Sequence, residues 1–303
     1  MSKAHHVIPL ALSGNVTPQQ TDRLRDAMTD AVNRGLRLAM EKLDRHSAAL
    51  VLELEPKLKS EITSAIEKVI QRFTISEKYM DEEAVSRRQY PATYRARPIE
   101  AQVTALRNLF PGLHSCMEKL ARRTLPDGAE DWFAIPRWQK LAPTYCEAVQ
   151  KVIDVLAEKR KFSNRIVDRL GTAFLRPTER SALAEKIIAG QQPECDILVV
   201  AAQFGLLYRG CSARRARVLM GTNEFALGAF ALGCLLLTHP ERLSHIDTVM
   251  LDCGGDEYSL RGDGAFDRVP LFDYDIGGIE FSAFYEDRAR NLWGTPTAFV
   301  FEM

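Results

Sequence analysis

The stretch "CDILVVAAQFGL" (residues 195–206) decides the fold. It is a continuous apolar run of strand length, without the alternation of a strand that has one wet face. It therefore reads as a strand buried on both sides. Upstream of it, helices are expected over 142–160 and 178–189, the second ending at Gly190, a natural C-cap. Just downstream, Ser212 is placed to cap "ARRARVLM", and Asn223 to cap "EFALGAFALGCLLL", a buried helix that stops before Pro240. Then the character changes. "DTVMLDCGGDEYSL" (247–260), "RVPLFDYDIGG" (268–278), "IEFSAFYED" (279–287) and "TPTAFVFEM" (295–303) read as short strands between glycine and acidic turns. Helices first and strands last imply an α+β chain, not alternating α/β.

Residues 17–73 read as helical. Thr17 serves as N-cap, Pro18 opens the first turn and Gln20 sits at the capping-box position. Leu24, Ala31 and Leu38 repeat at seven, with Met28 on a neighbouring face. Leu50, Leu52 and Leu54 alternate like a strand, though their neighbours suit a helix equally. Pro56 marks a break or a new first turn, and Leu58, Ile62, Ile66, Val69 and Phe73 resume helical spacing. The pattern fits a helical hairpin or one long broken helix, packing on the body of the protein or dimerising it. Residues 74–110 read as an irregular, proline-punctuated connector followed by a short helix from Ile99 to Phe110. The segment "LPDGAEDWFAIPRWQKLAP" brings Trp132, Phe133 and Trp138 together, either to anchor a loop or as a platform for a sugar or base. The expected organisation is a helical hairpin or oligomerisation segment (1–73), a mostly helical region with irregular connectors (74–190) and a small, strand-rich α+β C-terminal domain (191–303).

Composition excludes several classes. The 303 residues carry no net charge, 46% are hydrophobic and 26% charged, as in a soluble globular protein. Nothing draws the chain toward nucleic acid or an anionic membrane, and zero net charge leaves self-association open. The N-terminal apolar run is short and broken by Pro9, unlike a signal peptide, and Phe225–Leu237 is too short for a membrane span. Cys116, Cys146, Cys195, Cys211, Cys234 and Cys253 show no CxxC spacing. They read as mostly reduced and buried, as in a cytoplasmic protein. No cofactor or metal is implied: His239 and His245 bracket Pro240 without a third ligand, and neither a G-x-S-x-G elbow nor a P-loop is present.

Two charge clusters remain. Asp252, Asp256, Glu257, Asp263, Asp267, Asp273 and Asp275 read as solvated loop acids. The alternative is an enzyme in which several of them meet with perturbed pKa values, with or without a metal. Arg209, Arg214, Arg215 and Arg217 read as a solvated helix face pairing with the acidic C-terminal loops, or as a phosphate contact.

"SARRARVLMGTNEFALGAFALGCLLLTHPERL" (212–243), "LDCGGDEYSLRGDGAFDRVPLF" and the "GTPTAF" ending resemble a family of uncharacterised bacterial proteins of candidate-phyla type. "FTISEKY", "LPDGAEDWFAIPRWQKLA" and "DILVVAAQFGLLYRG" are similar upstream, so the likeness runs from Phe73 to Met303. The C-terminal region of that family resembles the variable proteins of diversity-generating retroelements. Those elements rewrite template adenines, and their variable domains commonly adopt a C-type-lectin-like fold. The resemblance implies that Phe281 and Gly294 belong to a fixed frame. Ser282, Ala283, Phe284, Tyr285, Asp287, Arg288, Arg290 and Asn291 would be displayed, and Glu286, which adenine changes in an Asn codon do not reach, would have to be fixed.

The reading that follows is a non-enzymatic ligand-binding protein with its recognition surface near residues 272–293. Its contacts would be Phe272, Tyr274, Ser282, Phe284 and Tyr285, then Asp287, Arg288, Arg290, Asn291 and Trp293. This mixture of rigid aromatics with adaptable small and charged residues suits a paratope. The partner would be a protein or small molecule at that face, with a homo-oligomer through the N-terminal helices. An enzyme built on 252–275 and an assembly protein oligomerising through 17–73 are the alternatives.

Overall fold

The computed structural model describes residues 18–41, 43–74, 78–115, 118–275 and 277–300. Among them are 8 α-helices and 11 strands in two sheets, an α+β architecture. The chain forms two compact units, one up to Ile70 and one from Gln71 onward.

The first unit is built from α1 (Pro18–Met40), α2 (Arg45–Glu53) and α3 (Glu55–Thr74). Asp44 caps α2 by accepting the Ser47 N–H at 2.7 Å, so the alternating leucines belong to a helix. The Leu54 N–H bonds Leu50 O and the Leu58 N–H bonds Leu54 O. The chain thus passes from α2 to α3 almost without interruption, and Pro56 falls in the first turn of α3, where its missing N–H costs nothing. Leu50, Leu54, Leu58 and Ile62, four residues apart, are 47%, 56%, 41% and 38% exposed. The capping role expected of Thr17 lies outside the described residues.

The second unit is held by two sheets. In the first, β1 (Asp131–Pro136), β4 (Ile197–Gln203), β11 (Thr297–Phe299) and β5 (Glu224–Ala226) lie in the order β1-β4-β11-β5, all antiparallel. Every residue of β4 is buried, as its unbroken apolar pattern requires. In the second sheet, β8 (Arg268–Asp275) carries β6 (Met250–Asp252) and β7 (Asp256–Tyr258) along one edge and β9 (Gly278–Tyr285) along the other. β2 (Phe162–Asn164) joins β9, β3 (Leu175–Pro177) joins β7, and β10 (Trp293–Gly294) joins β6.

The boundary expected near residue 190 is not seen. β1, β2 and β3 come from the middle of the chain, yet they pair with β4, β9 and β7, and β11 returns to lie between β4 and β5. Backbone hydrogen bonds therefore tie 74–190 to 191–303 as one body. Local expectations also shift. Helix α6 (Glu179–Gln191) runs through Gly190 and ends at Gln192. Glu224–Ala226 is strand β5 rather than helix, because Glu224 pairs with β11 and its carboxylate accepts the hydroxyls of Tyr208 and Thr297. Helix α8 (Ala229–Thr238) starts only at Ala229. Its N-cap, Gly228, has no side chain. Asp256 supplies the missing acceptor, 2.7 Å from the Ala229 N–H.

Helices α4 (Ile99–Leu109), α5 (Tyr145–Lys159) and α8 bury their apolar residues in a shared core with β1 and β4. Trp132 and Phe133 are buried on β1, whereas Trp138 sits half-buried in the 3-10 turn that follows. Arg242 is fully buried. Its guanidinium donates to Val249 O (2.9 Å) and Phe204 O (2.7 Å) and stacks on Tyr90 at 4.4 Å. His239 is a core residue, accepting the Arg97 N–H on Nε2, and burial lowers its pKa to about 4. Cys146, Cys211, Cys234 and Cys253 are free, while Cys195 is disulfide-bonded.

Gly294 meets the backbone of Gly205 so closely that a Cβ there would overlap the Gly205 carbonyl oxygen. Gly294→Ala is expected to lower unfolding stability by about 1–3 kcal/mol, the usual cost of overpacking, read as a drop in urea midpoint at unchanged slope.

Candidate functional site

Register along β8 and β9 sorts the C-terminal residues onto two faces. Phe272 opposes Phe281, with rings 4.8 Å apart and both side chains fully buried. One step along, Leu271 opposes Ser282 and Val269 opposes Phe284, so these side chains take the other face. Beyond β9 the chain turns through residues 286–292 into β10. The Phe284 and Trp293 rings meet edge-on at 5.0 Å, and the Arg290 guanidinium lies over both, at 4.1 and 4.8 Å. Arg268 lies over Tyr285 at 4.0 Å.

The residues expected at the site divide accordingly. Tyr285, Arg288, Arg290 and Asn291 are exposed, and Tyr274, Ser282, Phe284 and Asp287 are partly so. Phe272 and Trp293 are not surface residues: Phe272 packs in the core on Phe281, and Trp293 is buried beneath Arg290 and beside Phe284. Between Ser282 and Asn291 no side chain is buried. Glu286 is tied instead. Its carboxylate accepts from Arg217 Nη1, its carbonyl accepts the Arg214 N–H at 3.0 Å, and its N–H donates to Asp267 O at 3.1 Å.

The basic cluster is a fastening rather than a solvated face. Arg217, on α7 (Ala213–Leu219), also donates to Gly254 O (2.8 Å) and Asp256 O (2.7 Å). Arg214 pairs with Glu82, Arg215 with Glu83, and Arg209 donates to Arg88 O. Ser212 caps α7 as expected, accepting the Arg215 N–H at 2.9 Å.

The acidic cluster is likewise not uniformly solvated. Asp263 is exposed in its turn, but Asp252 and Asp256 are buried. Burial raises Asp252 to about 8, with Asp273 adding to the shift and Arg217 opposing it. Burial also raises Asp256 to about 7. They do not share one cleft: Asp252 lies beside Leu271 in the β8 register, while the Asp256 carboxylate faces Tyr145. Among the described residues no group of three His, Cys, Asp or Glu is placed to hold a metal.

Asp256 opens instead on a small pocket of about 60 Å³. Tyr145, the first residue of α5, donates its hydroxyl to the two Asp256 oxygens at 2.8 and 2.9 Å. Gly228 permits this, since a Cβ there would overlap Asp256 Oδ1 and the phenol oxygen. Glu185, on the pocket side of α6, is pushed up to about 7 by burial, although Arg137 and a Trp138 hydrogen bond oppose the shift. Sequence reasoning passed over Tyr145 and Glu185, because their partner Asp256 is remote in the chain and neither carries a spacing signal.

The chain matches no protein-family model, no curated protein and no solved structure.

The Asp252 carboxyl titrates at its ordinary value when unfolded and at about 8 when folded. The folded chain therefore holds a proton that the unfolded chain releases, and stability falls as pH rises from about 4 to about 8. Asp252→Asn removes that slope and is expected to gain about 1–3 kcal/mol over the parent across the window. His239, whose lowered pKa acts oppositely below its ordinary range, is common to both chains. Denaturant midpoints at several pH values, compared as variant minus parent, provide the check.

Proposed function

We propose that this chain is a non-enzymatic ligand-binding protein whose recognition surface is the end of β9 and the turn to β10, with Ser282, Phe284, Tyr285, Asp287, Arg288, Arg290 and Asn291 as its variable contacts. One observation carries the reading: positions expected to be fixed are locked by burial, ion pairing or close backbone approach, whereas no side chain at the positions expected to vary is buried. Phe281 is fully buried, Glu286 is bonded to Arg217, and Gly294 has no room for a side chain. The side chains between them are open or half-open. Rigid aromatics stacked under arginines, beside small polar residues, give contact area at low entropic cost. This supports a display protein of the diversity-generating-retroelement type, with a C-type-lectin-like arrangement of its variable face, acting on a protein or small-molecule ligand.

A second part of the proposal concerns the N-terminal unit. Leu50, Leu54, Leu58 and Ile62 line an apolar stripe open to solvent, and the heptad of Leu24, Ala31 and Leu38 suits a helix from a second copy. Self-association through α1–α3 would multiply a weak display face by avidity. Leu54→Glu combined with Leu58→Glu is expected to halve the mass measured by light scattering; an unchanged mass removes this part.

Randomising the seven contact positions together is expected to leave most clones protease-resistant, and panning that library on immobilised lysozyme to yield binders. Randomising Phe281, Glu286 and Gly294 is expected to leave few folded clones. Equal loss in the two libraries sinks the display reading. So does a genome without a reverse-transcriptase gene and an adenine-differing near-repeat of the codons for 282–291.

A further inference from the structure

The pocket beside Asp256 lies in the same unit as the display turn but uses none of its variable side chains. Its walls are apolar: Ile135 from β1, Leu198 and Val200 from β4, Phe225 from β5 and Phe230 from α8. Its polar groups are few and of one kind. Asp256 and Glu185 contribute carboxylates. Tyr145 spends its proton on Asp256, and its oxygen faces the Phe230 N–H. Ser181 spends its proton on Ala226 O at 2.8 Å. Among the described residues no Lys, Arg or His lines the cavity. The site therefore offers hydrogen-bond acceptors and negative charge in a low-dielectric surround, and nothing that would satisfy an anion.

From this geometry we infer that the pocket binds a small organic cation, an alkylammonium whose charged head sits between Asp256 and Glu185 and whose chain lies against Leu198, Val200 and Phe225. Buried carboxylates are costly without a counter-charge, and the donors that reach Asp256, the Ala229 N–H and the Tyr145 hydroxyl, are both neutral. An ammonium brings three donors and the missing charge.

Neighbouring groups leave that role open. Arg137 stands near Glu185 but directs its guanidinium to Cys195 O, Ala189 O and Gln192 O. Arg217 lies behind Asp256 and bonds its backbone carbonyl. The Cys146 thiol, pushed up to about 11, and the Cys253 thiol, also pushed up by burial, stay neutral at ordinary pH. The groups that titrate near neutrality are Asp256 and Glu185, each held at about 7. A bound cation favours their ionised forms. Binding therefore releases protons near pH 7 and tightens as pH rises.

The test is calorimetric titration of the full chain with n-butylammonium, butan-1-ol and butyrate at pH 6 and pH 8.5. Binding of n-butylammonium is expected to strengthen by about tenfold across that interval, the effect of one unit of pKa coupling. Butan-1-ol should bind weakly and without pH dependence, and butyrate not at all. Asp256→Asn removes the cap of α8 and risks the fold. Glu185→Gln, at a partly buried helical position that caps nothing, is the informative variant: circular dichroism unchanged, the pH dependence reduced and affinity for n-butylammonium lowered about tenfold. Equal binding of butan-1-ol and n-butylammonium, no binding of the amine, or a Glu185→Gln chain that binds as the parent does, each overturns the inference. None of these results bears on the display turn.

Discussion

A single guanidinium, that of Arg217, joins parts of the chain that would otherwise have no reason to stay in register. It rises from a seven-residue helix, too short to be stable alone. It spans the carbonyls of Gly254 and Asp256 and the carboxylate of Glu286. The guanidinium serves these three acceptors from three separate nitrogens, a spread that the single nitrogen of a lysine does not have. The helix is itself fastened: Ser212 caps it and donates to Glu82, Arg214 pairs with Glu82, and Arg215 pairs with Glu83. Glu83 is exposed, but Glu82 and Arg215 are buried, so loss of a partner there leaves an unpaired charge withdrawn from water, which costs more than the pair contributes. The turn before β7, the root of the display turn and the segment around Glu82 are thus positioned by one element.

What could be read from the sequence follows from how far apart the interacting residues lie. β4 was legible because burial on both faces leaves a local mark, an apolar run without alternation. The N-terminal helices, α4, α5 and the strands of the C-terminal hairpin were legible through periodicity and turn residues. The cap of α8 was not. Its acceptor, Asp256, lies 27 residues from the amide it serves and 111 from the tyrosine that holds it. Asn223 and Gly190 have good local capping chemistry, but tertiary pairing of β5 with β11 and continued packing of α6 overrode it. The boundary at residue 190 failed for the same reason, since nothing local announces that the last strand of the chain completes the first sheet.

The sequence located the exposed turn after β9 but did not sort its residues by face. Composition pointed to Phe281–Met303, but alternation alone did not say which aromatic faced inward. Register settles it: Phe272 shares a face with Phe281, one residue out of step with Ser282 and Phe284. Glu286 is instructive here. Its need to stay fixed came from codon arithmetic in the resemblance, and its bonds to Arg217, Arg214 and Asp267 supply an independent physical reason.

The acids bear on the choice between the readings. Burial raises Asp252, Asp256 and Asp273 alike, yet their side chains are divided between the strand row beneath the display turn and the pocket beside α8. An enzyme using the whole cluster needs convergence, and the sheet separates them. Asp256 and Glu185 do converge, in a cavity that apolar residues of the same volume would fill at lower cost. Capping α8 accounts for Asp256, but it gives Glu185 no role beside it. The two acids, with a tyrosine spent on orienting one of them, are the electrostatic feature on which the small-cation proposal rests.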